Sequence, residues 1–100
     1  MTYPPLAIWN EVTVELGQAL LGVISPNIRS VALSYENDDW MIRFVLAEED
    51  AEDMEEVAEA LTDFEGMNGT TYACEILVSQ ETISVPPLPG RLVYLRRECP

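Results

Sequence analysis

The sequence predicts an α+β fold with the order αββαββ, a four-stranded antiparallel sheet with two helices packed on one face. Three observations lead there. Two stretches carry apolar residues at three- and four-residue spacing, the helical period. Four others alternate apolar and polar residues, the period of a half-buried strand. Between them lie polar, glycine-rich or proline-rich breaks, where a chain turns.

The first element is a helix over about Ile8 to Ile24, its stripe made by Ile8, Val12, Leu16, Ala19, Leu20 and Val23. Pro4 and Pro5 precede it, and Ser25-Pro26-Asn27 is its expected stop. β-Branched Val12, Thr13 and Val14 make a strand the competing reading at its start. From Arg29 to Tyr35, Val31, Leu33 and Tyr35 alternate with Ser30, Ala32 and Ser34, giving a strand. After the polar turn Glu36-Asn37-Asp38-Asp39, a second strand runs from Trp40 to Leu46 with Trp40, Ile42, Phe44 and Leu46 on one face. Together they make a β-hairpin.

A second helix is expected from Glu48 to Phe64, packed through Met54, Val57, Ala58, Leu61 and Phe64 and ended by Gly66 and Gly69. Thr71 to Ser79 alternates again as a third strand, with Tyr72, Cys74, Ile76 and Val78 on one face. The segment Val85-Pro86-Pro87-Leu88-Pro89-Gly90 is extended but cannot sit centrally in a sheet, because proline lacks the donor a ladder needs. Arg91 to Arg96 is a short last strand.

A chain of 100 residues is a single domain, and 48% hydrophobic content with a mean hydropathy of +0.04 marks a globular protein. No apolar run approaches the ~20 residues a membrane span needs. The opening Met1-Thr2-Tyr3-Pro4-Pro5 has no basic stretch, so no secretory leader and a cytoplasmic location are expected. A disulfide between Cys74 and Cys99 is geometrically open but nothing in the sequence prompts it; a buried free thiol at Cys74 and a dangling one at Cys99 are expected in a reducing compartment. Without histidine or a CxxC pattern, no zinc site is expected.

Charge is the strongest global signal. Eighteen acidic residues face five arginines and no lysine, a net charge of -13. Such a field repels nucleic acid and anionic membranes and favours a cationic partner. Ten of the 18 acids fall between Glu48 and Glu65, with no basic residue among them. On a helix of about 100° per residue, Glu48, Glu49, Glu52, Glu55, Glu56, Glu59 and Asp63 share one arc opposite the apolar stripe. Like charges at i,i+4 each cost a helix about 0.2–0.5 kcal/mol, so the arc is bought at the expense of stability. Glu36, Asp38 and Asp39 in the turn beside Trp40 are expected to extend this partner-binding surface. Trp40 itself, in phase with Ile42 and Phe44, reads first as core and second as an interface anchor.

Catalytic chemistry has little to work with: no histidine, no lysine, no phosphate-binding glycine loop and no GxSxG elbow. Carboxylates on a convex, solvated helix lack the cleft that would set their pKa values apart. An EF-hand calcium loop is also absent. The expectation is a binding protein with no cofactor and no metal.

Several stretches carry a resemblance. Leu20-Leu21-Gly22-Val23-Ile24-Ser25-Pro26-Asn27-Ile28-Arg29, the Val31-to-Leu46 hairpin, the helix end Leu61-Thr62-Asp63-Phe64-Glu65 and the closing Gly90-Arg91-Leu92-Val93-Tyr94-Leu95-Arg96-Arg97-Glu98 resemble small acidic immunity proteins. These belong to bacterial contact-dependent growth inhibition and related polymorphic toxin systems. The resemblance spans about Trp9 to Glu98 and implies a partner that is a cognate basic toxin domain, commonly a nuclease. Two other readings stay open: an acidic nucleic-acid mimic or adaptor on a basic host protein, and a structural subunit whose acids only meet solvent. A monomer or a weak homodimer through an exposed edge strand is expected.

Overall fold

The computed structural model describes residues 3–69 and 72–97. Helix α1 (Leu6–Ala19) leads into the hairpin β1 (Ile28–Glu36) and β2 (Asp39–Leu46); helix α2 (Ala51–Asn68) then precedes β3 (Ala73–Val78) and β4 (Arg91–Leu95). The strands lie in the order β3-β2-β1-β4.

The hairpin forms as its alternation predicts, but around a two-residue turn. Glu36 pairs with Asp39, while Asn37 and Asp38 take φ of 53° and 63°. A left-handed pair is what a type I′ turn requires, and Asn and Asp tolerate it best after glycine.

The sheet is mixed, not antiparallel throughout. β1 pairs antiparallel with β2 and β4, but β2 and β3 are parallel from Met41↔Ala73 to Leu46↔Val78. The reason lies in α2. Its 18 residues, at about 1.5 Å each, carry the chain back to the end where β2 began, so β3 starts in the same direction.

Both helices cover the face presented by Val31, Leu33, Trp40, Ile42, Phe44 and Leu46, forming one core. In α1 the buried line is Trp9, Val12 and Leu16, continued by Leu20 just past the helix end, whereas Ile8 is exposed. Trp9 wins the inward position because its ring meets Trp40 edge-on, with centroids 4.8 Å apart. The helix ends at Ala19, short of the expected stop at Ser25, as the chain turns at Gly22 with φ of 83°. In α2, Val57, Ala60 and Phe64 are buried and Ala58 is exposed. Gly66 is helical, and Gly69 alone supplies the left-handed cap, its N–H reaching the Glu65 carbonyl at 2.8 Å. The expected strand start at Thr71 and the state of Cys99 lie outside the described residues.

On the other face Ser30, Ala32 and Ser34 are also buried, so β1 is covered on both sides. Their cover is irregular chain. Residues 79–90 cross this face from β3, at one edge, to β4 at the other. Buried Arg29 holds this strap by donating from Nη1 to the carbonyls of Ser79 (2.7 Å) and Glu81 (2.8 Å).

Candidate protein-binding interface

Helix α2 is built to start sharply and to face two ways. The Asp50 side chain caps it by accepting from the Asp53 N–H at 3.0 Å, and Glu52 and Asp53 in the first turn complement the helix dipole. Asn27 fixes the approach. Its Oδ1 accepts from the Glu48 N–H at 2.8 Å, and its Nδ2 donates to the Glu48 carbonyl (2.8 Å) and to Asp53 (3.0 Å).

Glu52, Glu55, Glu56, Glu59 and Asp63 are all exposed and lie within an arc of about 100°, turned away from Val57 and Phe64. Glu55, Glu59 and Asp63 border a shallow depression with Ala58 and Thr62. Of the remaining predicted interface residues, Glu48 and Glu49 sit in the link before the helix, exposed at the arc's start and not on it. Asp38 and Asp39 are exposed at the hairpin tip. Glu36 does not join the helix face. It follows Ser34 onto the opposite side of the sheet, accepting from the Ser34 hydroxyl at 2.8 Å, with Arg43 at 3.7 Å. Trp40 is buried core.

Four of the five arginines, Arg29, Arg43, Arg91 and Arg96, are engaged by the framework away from this arc. Arg43 donates from Nε and Nη2 to Glu75, at 3.0 and 2.8 Å, on the strap side of the sheet. Arg91 reaches Asn10 at 2.9 Å and lies 5.2 Å over the Trp9 ring, and Arg96 reaches the Pro26 carbonyl at 2.8 Å. A concentrated negative surface on a rigid helix can attract and orient a cationic partner; without a cleft around it, it is poorly suited to proton transfer. Among the described residues no cluster of three or more His, Cys, Asp or Glu converges as a metal site, and no helix is long and apolar enough to cross a membrane.

One feature was not read from the sequence. Between the strap and the sheet lies a groove of about 530 Å³, floored by Ser30, Ala32, Ser34, Arg43, Val45 and Leu77. Part of the signal was available: a link of this length between two strands, with three prolines and no helical period, cannot be a tight hairpin, so β3 and β4 need not be neighbours. Cys74 is not the buried thiol expected: it is exposed, because β3 lies at the edge of the sheet, and its thiol pKa is raised by partial burial and then by the neighbouring Glu75.

Comparison with curated proteins finds no match. The family model described as MafI2 immunity protein, however, matches residues 9–98. That span runs from the first core residue of α1 to just past β4 and so takes in the whole sheet and the acidic helix. The chain belongs to the MafI2 immunity protein family, an immunity family of polymorphic toxin systems.

Proposed function

We propose that this protein binds and neutralises a cognate toxin domain, a nuclease, by laying the carboxylate arc of α2 against the toxin's cationic surface. It acts by occupation and not by catalysis, in the cytoplasm of the cell that makes the toxin. The observation that carries this reading is the arc itself: Glu52, Glu55, Glu56, Glu59 and Asp63 exposed together on α2, which contains no basic residue. A nuclease must hold phosphates and is therefore cationic where it works. Opposed fields of this kind accelerate encounter by about 10- to 1,000-fold at low salt. Family membership supports a toxin as the partner.

The test replaces Glu52, Glu55, Glu56 and Glu59 together with glutamine and follows association with the toxin domain encoded beside this chain's gene. The variant is expected to stay folded, to associate at least about 10-fold more slowly at low salt, with a flatter salt dependence, and to lose protection in cells. An unchanged association rate and salt slope would assign the arc to solvent and remove it from the interface.

A further inference from the structure

The two edges of the sheet are not alike. β4 is five residues long, has a bulged register with β1 between Val31 and Ala32, and is bracketed by Arg91 and Arg96. Bulges, charges and short length are the devices that keep an edge from pairing with another chain. β3 has no bulge. Its six residues, Ala-Cys-Glu-Ile-Leu-Val, run in unbroken register with β2, and the one charge, Glu75, is already held by Arg43.

The phase of this edge is fixed. Ser79 donates its N–H to the Leu46 carbonyl at 3.0 Å. In a parallel pair alternate residues turn both backbone groups to the neighbour, so Glu75 and Leu77 serve β2 while Cys74, Ile76 and Val78 direct N–H and C=O outward. Among the described residues nothing meets those outward groups. Leu77 and Val78, which flank the edge on opposite faces, are 40% and 48% exposed.

The geometry points to β3 as the docking edge for a strand of the toxin, which extends the sheet beside the acidic helix. This rests on the immunity reading and adds to it the mode of contact. Main-chain hydrogen bonds to Cys74, Ile76 and Val78 would supply affinity, and alternate side chains would read the two faces. Charge decides against a second copy as occupant. Each chain carries -13, and β3 pairing with β3 would set two α2 helices alongside one another. A strand from a cationic toxin instead lies about 4.8 Å beyond β3, where its lysines and arginines can rise toward α2.

Amide exchange on the labelled full chain, alone and with the catalytically inactive cognate toxin domain, tests this without any variant. The Cys74, Ile76 and Val78 amides are expected to exchange fast in the free protein and to slow by about 100-fold or more in the complex. The Glu75 and Leu77 amides should be slow in both. A V78P variant, which removes only an outward donor, should weaken binding by about 10-fold or more while melting close to the parent. If the complex forms and the three outward amides exchange unchanged, the edge is not the contact, although the immunity reading stands. Concentration-dependent protection of the same amides without toxin would assign the edge to self-pairing and overturn the inference. Failure of the parent chain to bind the toxin at all would remove the immunity reading and this inference with it.

Discussion

The two faces of the sheet are closed in different ways. One lies beneath two helices and buries Trp9, Leu16, Phe44, Val57 and Phe64 in a single aromatic-rich core. The other lies beneath an irregular strap that covers Ser30, Ala32 and Ser34 and leaves a groove of about 530 Å³. The helix layer gains its energy from apolar area, which is non-directional and large. The strap is held by a few directional contacts: the Arg29 guanidinium at one end and the close approach of Gly90 to the sheet at the other. One face is therefore expected to set global stability, and the other to open locally at smaller cost.

Four variants separate the two. F64A, which empties a fully buried site whose ring centroid lies 4.6 Å from that of Tyr72, should cost about 3–5 kcal/mol in denaturant unfolding, a large share of the roughly 5–15 kcal/mol a domain possesses. R29M leaves the Ser79 and Glu81 carbonyls without their donor and should cost about 2–3 kcal/mol. Its signature is faster proteolysis within residues 79–90; a loss as large as that of F64A would make the strap as integral as the helices. In G90A the new Cβ would stand 2.8 Å from the Pro87 carbonyl oxygen, 3.0 Å from the Pro86 Cβ and 3.3 Å from the Leu33 carbonyl oxygen. A backbone shift of the strap at about 1–3 kcal/mol follows, read as a lower melting temperature with an intact helical signal. E59Q acts on the outer surface of the helix layer and has the opposite sign. It relieves repulsion with Glu55 and Asp63 and should add about 0.4–1 kcal/mol, with protease sensitivity of the strap unchanged.

Much of this was legible in the residues. The hairpin followed from strict alternation on both sides of a polar turn, and the carboxylate arc from helical phase, because both depend on local periodicity. Phase failed where two large apolar residues competed. Ile8 and Trp9 are adjacent, and only the presence of Trp40 across the core selects Trp9. Glu36 failed in a similar way. It is close in sequence to Asp38 and Asp39, but strand alternation sends it to Arg43 on the strap side, away from α2.

What the sequence by itself determined is the set of elements, the buried hairpin face and a helix carrying unrelieved negative charge, since each is written in a repeat of two or of 3.6 residues. The tertiary structure decided the direction of β3, the burial of the serine face of β1 and the bare edge at Cys74, Ile76 and Val78. None of these has a local signature. Strand direction depends on where α2 returns the chain, burial of the second face on where the strap crosses, and the free edge on which strand is left without a neighbour.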